Sequence, residues 1–258
     1  MPYSESEFFT GKAKDMNVNI FEEENLASLK AAELLHQQIV KKPSSTIGLA
    51  TGNTMNGVYE AFKVLVKNNQ TDLSQVRFVM LDEYWDIDIN HPASFKSYLL
   101  RALDGLGIEE RQFHFHRVDL PPDEATRYYD QLIEELGGID LQLLGIGLNG
   151  HIAFNEPGTS FDITTHVIRL TESTITANQK DFKGAFPTMA ITMGIKNILD
   201  AKSIVMIVLG ESKADITKRF LQGEVSESCP ASILQKHDHV KIILDKKAAQ
   251  KIEERSLA

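Results

Sequence analysis

Short apolar segments alternate with amphipathic helical stretches along almost all of this chain, and that alternation limits its fold more than any other feature. The pattern predicts strands at Asn17–Phe21, Thr46–Ala50, Val76–Leu81, Asp140–Ile146, His166–Leu170, Ser203–Leu209 and Val240–Leu244. Leu26, Leu29, Ala32, Leu35 and Ile39 recur every three or four residues, which is the period of one helical face and makes Glu22–Val40 a helix. Further helices are predicted after Thr54 through Asn68, over Ala93–Leu103, Asp123–Leu136 and Glu172–Phe182, from Ser212 onward, and over Lys246–Arg255. Strands separated by helices are joined by right-handed crossovers, so the expected fold is α/β, three-layered, with a mainly parallel sheet and helices on both faces. No repeat, low-complexity tract or Gly/Ser/Pro linker interrupts the alternation, so residues 1–258 read as a single domain behind a polar segment, 1–15. Ligands of such sheets bind outside the carboxyl ends of the strands, and the loops there are where chemistry is expected.

Charge and cysteine content narrow the function. Lys plus Arg is 27 and Asp plus Glu 36, a net charge of −9. The resulting field repels phosphate backbones, so neither nucleic acid nor an anionic membrane is an expected partner; a small phosphorylated molecule needs only local positive charge. One cysteine, Cys229, excludes an internal disulfide and a cysteine-built zinc site and fits a reducing compartment. The longest apolar run, Ile204–Leu209, is far too short to span a bilayer, and no secretory leader is visible, so a cytoplasmic location is expected.

Three clusters carry the functional signal. In Gly48-Leu49-Ala50-Thr51-Gly52-Asn53-Thr54 a strand runs through a glycine turn into a helix. Exposed N–H groups there suit a phosphate, although an ordinary turn capped by Thr51 or Thr54 has the same sequence. In Leu81-Asp82-Glu83-Tyr84-Trp85 two carboxylates follow a strand, and since neighbours point in different directions only one should face a pocket. Shielded by Tyr84 or Trp85, that carboxylate would suit proton abstraction from carbon; a helix cap or surface turn is the alternative. The third cluster, Gly145-Ile146-Gly147-Leu148-Asn149-Gly150-His151-Ile152-Ala153-Phe154-Asn155-Glu156-Pro157, places a histidine five residues before a carboxylate in a glycine-rich loop. A histidine with such a partner has a defined tautomer for proton shuttling. The pairs His114/His116 and His237/His239 lack a third ligand at metal spacing and read as solvent-facing strand or turn positions, so no metal is expected.

Taken together, Gly145–Pro157, Leu81–Tyr84 and Leu49–Thr54 resemble the glucosamine-6-phosphate deaminase (isomerising) family, over a stretch from Asn17 to Ala249 that includes Leu209–Ala214 and Cys229–Ser232. The resemblance implies that family's Rossmann-like fold and a cofactor-free reaction of amino-sugar catabolism, in which an amino-sugar phosphate plus water gives a ketohexose phosphate plus ammonia. It implies that Asp82 moves a proton between C2 and C1, that His151 opens the pyranose ring, and that Glu156 holds the histidine. Asn149 occupies a relay position where some members carry Asp. Gly52, Asn53, Thr54 and Lys213 would bind the substrate phosphate, and Lys180 stands where the family commonly has arginine, without the bidentate fork. His166 and Ile168 replace the basic residues of allosterically regulated members, and the C-terminal extension of those members is missing after Ala249. Activation by N-acetylglucosamine 6-phosphate is therefore not expected. The chain would act as a monomer or small homo-oligomer.

Three alternatives stand beside this reading. The same chemistry on galactosamine 6-phosphate differs only at C4. A 6-phosphogluconolactonase shares the stretch through the histidine but lacks Phe154-Asn155-Glu156-Pro157 in this form and needs no C2 base. A sugar-phosphate sensor would need a DNA-binding unit, for which the residues before the first strand leave no room, and would have no use for an acid and a base together.

Overall fold

The computed structural model describes residues 16–85, 87–179, 182 and 186–253. In chain order the elements are β1 (Asn17–Phe21), α1 (Glu24–Lys41), β2 (Thr46–Leu49), α2 (Asn53–Asn69), β3 (Arg77–Met80), β4 (Asp82–Tyr84), α3 (Phe95–Ala102), β5 (Phe113–His114) and α4 (Pro122–Glu135). They continue with β6 (Leu141–Leu144), β7 (His166–Arg169), α5 (Glu172–Asn178), β8 (Met189–Thr192), α6 (Ile195–Leu199), β9 (Ile204–Val208), α7 (Ala214–Gln222), β10 (Val240–Asp245) and α8 (Lys246–Ala249).

Among the described residues, seven strands form one sheet in the order β1-β10-β9-β6-β2-β3-β5, with every neighbouring pair parallel. Its central strands β2, β6 and β9 are buried along their whole length, as expected of strands covered by helices on both faces. From β2 the chain adds β3 and β5 on one side, whereas β6, β9 and β10 build outward on the other. The order therefore reverses between β2 and β6, and the crevice outside their carboxyl ends is where a ligand has room to enter. Opposite that crevice, at the amino ends, buried Asp140 accepts from Lys42 (2.7 Å), Lys202 (2.8 Å) and the Thr46 amide (2.9 Å), which pins β6 to β2. No described helix is long and apolar enough to cross a membrane.

The parallel α/β expectation holds, and β1 coincides with its predicted span. The sequence pattern did not foresee a second sheet, the antiparallel β4-β8-β7. It begins where β3 passes through Leu81 directly into β4, and Asp82 pairs with Thr192, Tyr84 with Ala190. Two helices are shorter than predicted. The described part of α5 stops at Asn178, with Phe182 outside it, and α8 ends at Ala249 rather than Arg255. The helix expected from Ser212 begins as a 3-10 turn, Glu211–Lys213, before α7. His116 is a clear correction: instead of facing solvent it is 2% exposed, its ring packed on Tyr129 with centroids 3.8 Å apart. His237 is also half-buried, with Nε2 2.8 Å from the Ala201 carbonyl.

Candidate active site

The two loops flanking the strand-order reversal are those singled out by their glycines. After β2 the chain turns through Gly52, whose φ of +101° lies where glycine carries no Cβ penalty, and enters α2. Neither Thr51 nor Thr54 caps this helix, and its first turn contains no acidic residue. Its N-terminal amides and helix dipole therefore face the crevice with no side-chain carboxylate to neutralise them, a setting suited to an anion. After β6, Lys213 reaches across and donates from Nζ to the Ile146 carbonyl at 2.7 Å, which puts an ammonium at the same strand end. Burial pulls the proton affinity of this lysine down. Met55, in the first turn of α2, lies against Gly145, where an added Cβ would come within 3.4 Å of its methyl. The helix turn and Lys213 thus converge on one strand end. Lys180 lies outside the described residues.

The loop 147–156 brings His151 beside Glu156. A turn closed by Gly150 N–H to the Gly147 carbonyl (3.0 Å) and Gly147 N–H to the His151 carbonyl (2.9 Å) folds the imidazole back over Gly147. A Cβ at Gly147 would sit 2.2 Å from the ring, so only glycine admits this pose. Gly150 has φ +94° and leaves room for the buried Cys229 sulfur, which a Cβ would approach to 2.7 Å. Asn149 links the two: its Oδ1 accepts from the His151 amide at 3.1 Å and its Nδ2 donates to Glu156 Oε2 at 2.6 Å. Glu156 Oε1 stands 3.4 Å from His151 Nδ1 and accepts from the Thr174 hydroxyl at 3.2 Å. Burial works to raise the Glu156 pKa, but the imidazole, the Asn149 amide and the Thr174 hydroxyl outweigh it, leaving the carboxyl below its ordinary value.

The paired carboxylates at the end of β3 separate into two roles. Glu83 is fully buried and accepts from the amides of Tyr84 (2.9 Å), Phe95 (3.0 Å) and Lys96 (2.9 Å), so it anchors the start of α3. Asp82 is 8% exposed and its carboxyl receives no hydrogen bond from a described residue. Burial, and then the charge of Glu83, push its pKa up to about 8. Tyr84, two residues on in β4, packs with Phe95 (4.7 Å between centroids), Phe186 (5.2 Å) and Phe154 (6.1 Å). Trp85 joins no described ring contact.

Strand β8 ties the histidine loop to Asp82. Thr192 is the register partner of Asp82, and its hydroxyl accepts from the Phe154 amide at 3.2 Å. Met193 donates its N–H to the Leu81 carbonyl at 2.7 Å, while its own carbonyl accepts from Asn155 Nδ2 at 2.9 Å. Thr174 and Thr192 are the site residues that sequence reasoning missed. Two threonines in unremarkable strand and helix contexts give no local sign of a role, although Thr171-x-x-Thr174 reads as a helix-start signal. Among the described residues no cluster of three or more His, Cys, Asp or Glu side chains could hold a metal ion.

Known proteins resemble this chain over most of its length. Residues 23–243 match the family described as glucosamine-6-phosphate isomerases/6-phosphogluconolactonase. The glucosamine-6-phosphate deaminase of Halalkalibacterium halodurans is 44% identical over 87% of this chain and 93% of its own length. Glucosamine-6-phosphate deaminase 2 of Bacillus subtilis is 42% identical over 91% of this chain and 96% of its own. A solved monomeric glucosamine-6-phosphate deaminase superposes with a TM-score of 0.87 at 36% identity, covering 91% of this chain and 99% of that one. The 6-phosphogluconolactonase of Trypanosoma brucei shares the fold at a TM-score of 0.72 and 18% identity, covering 92% of this chain and 98% of that one. With its parallel sheet, its Gly-His-Ile-Ala-Phe-Asn-Glu-Pro loop and these relatives, the chain belongs to the glucosamine-6-phosphate isomerase/6-phosphogluconolactonase family.

Proposed function

We propose that this chain is an isomerising glucosamine-6-phosphate deaminase, converting glucosamine 6-phosphate and water to fructose 6-phosphate and ammonia. The observation that carries this reading is the pairing of a histidine–carboxylate relay, His151 with Glu156 and Asn149, with the desolvated carboxylate of Asp82, both fixed to the same strand end. Lactone hydrolysis has no use for a C2 base, so a buried carboxylate of high proton affinity favours the deaminase over the lactonase.

The chemistry divides into three tasks. The amides of Gly52, Asn53 and Thr54, with the ammonium of Lys213 and a contribution from Lys180, take the substrate phosphate. His151 passes a proton to the ring oxygen while the C1 hydroxyl gives one up, opening the pyranose to an aldehyde; Glu156, held by Asn149, orients the imidazole. The open carbonyl acidifies C2. Asp82 removes the C2 proton while O1 takes back the proton it lost in ring opening, giving an enolamine; return of the proton to C1 leaves an iminium at C2 that water hydrolyses to the ketone and ammonia. Burial suits Asp82 to this work, because a carboxylate stripped of water is a stronger base. The substrate supplies its own electron sink, so the reaction is assigned no cofactor. Residues 1–258 would act as one catalytic domain in the cytoplasm, as a monomer or small homo-oligomer.

The test is ammonia release from glucosamine 6-phosphate and galactosamine 6-phosphate, with hydrolysis of 6-phosphogluconolactone measured alongside. Ammonia from the gluco epimer, with negligible turnover of the other two, is expected. Preferential turnover of the lactone would overturn the assignment.

A further inference from the structure

Glu156 is held from two sides, and the second belongs to a separate part of the chain. On the loop side Asn149 Nδ2 occupies Oε2 at 2.6 Å. Oε1 faces His151 Nδ1 at 3.4 Å and accepts at 3.2 Å from Thr174, in the first turn of α5, eighteen residues along the chain. The Thr171 hydroxyl donates to the Thr174 hydroxyl at 2.9 Å and, as the cap of α5, accepts from the Thr174 amide at 3.3 Å. The hydroxyl donors therefore run one way, from Thr171 through Thr174 to the carboxylate, and a hydroxyl that accepts a hydrogen bond becomes a better donor. Thr174 is 8% exposed, so water cannot readily take its place.

A carboxylate fixed at one oxygen can still swing about that contact. A second donor, arriving at the oxygen that faces the imidazole, removes the swing. We propose that Thr174 is a positioning residue for ring opening: its hydroxyl sets the plane of the Glu156 carboxylate, and through it the orientation of the His151 imidazole, without touching the sugar. This rests on the roles given above to His151 and Glu156. Among the described residues, His151 is the titratable group facing Glu156; Asn149 and Thr174, its other partners, carry no charge. Because the hydroxyl donates to the ionised carboxyl, its loss lets Glu156 take up a proton at higher pH, so a second fall of activity, on the acid side of the one set by Asp82, moves upward.

The experiment compares wild type with T174V, which keeps the shape and removes the hydroxyl, and T174S, which keeps the hydroxyl. H151Q serves as a control. Ammonia release from glucosamine 6-phosphate is followed across pH, and melting temperature is measured on the same preparations. T174V is expected to lose about tenfold in kcat with KM within about twofold, and to shift the lower, Glu156-dependent break of its acid limb upward by about half a unit or more. T174S is expected to recover most of the loss. A T174V enzyme with wild-type kcat and acid limb overturns the proposal. So does a T174S enzyme as impaired as T174V, or a loss that follows melting temperature with the acid limb unmoved, since each indicates packing alone. Failure of the underlying reading appears separately, as an H151Q enzyme equal to wild type, and the proposal falls with it.

Discussion

Replacing Asp82 by asparagine should move catalysis and stability in opposite directions. Its pKa rises from the ordinary 3.8 to about 8, through burial first and the Glu83 charge second. The folded protein thus holds a proton that the unfolded chain has released, and between about pH 4 and pH 8 stability falls as pH rises. The rise is roughly four units, each about 1.4 kcal/mol, so the cost at pH 7 has a ceiling of about 4 kcal/mol. Relaxation and water entry around an ionised carboxylate recover part of it, leaving about 2 kcal/mol as the expected gain for asparagine. The gain should be small at pH 5 and grow towards pH 8, as read by urea unfolding at both. Turnover in ammonia release should drop at least about 10²-fold, with substrate affinity within a few-fold. In wild type, solvent deuterium should enter C1 of the product. Because the base works ionised, wild-type kcat/KM should climb with pH towards about 8. A D82N enzyme with near-full turnover, or a stability gain equal at both pH values, would refute the reasoning.

Three further outcomes are expected. H151Q should keep a near-native melting temperature and bind the closed sugar phosphate, yet turn over very slowly; a destabilised variant with normal activity per folded molecule would mark His151 as structural. K213A should raise KM by about 10- to 100-fold, the worth of a charged hydrogen bond to a partly desolvated phosphate, while leaving binding of the unphosphorylated amino sugar almost unchanged. G147A forces a methyl to within 2.2 Å of the imidazole, so kcat should fall by about 10²-fold with the fold retained in circular dichroism; an unimpaired G147A would mean that the observed imidazole pose is dispensable.

The large sheet was legible because most of its strands are short, largely apolar segments bounded by helical periodicity, and the Ile-Val-Met-Ile-Val run of β9 shows this most plainly. The small sheet was not. Its strands β4 and β8 are three and four residues long, too short to display a period, and they pair across more than a hundred residues of chain. His116 was misjudged for a related reason: what buries it is Tyr129, brought over by α4, and nothing beside it in the chain announces that contact. The pair Asp82-Glu83 shows both sides. Direction alone predicted that the two would differ, but which one is held by backbone amides depended on where those of Phe95 and Lys96 fell. The role given to Lys180 falls outside the described residues, and Thr174 enters the picture only through its distance to Glu156.

The attachment of both the Asp82 strand and the Phe154-Asn155 segment to Thr192-Met193 has a consequence for how this scaffold can change. Proton-moving groups on different loops would ordinarily drift apart whenever either loop was altered. Here a shared datum fixes their separation, whereas the turn at Gly52 and the base of Lys213 hang from the large sheet. On the proposed reading, the phosphate contacts can therefore change, by redrawing the α2 turn or the reach of the lysine, while the acid–base spacing stays set. Substitutions at Thr192, remote from any substrate atom in sequence terms, should instead disturb every substrate alike.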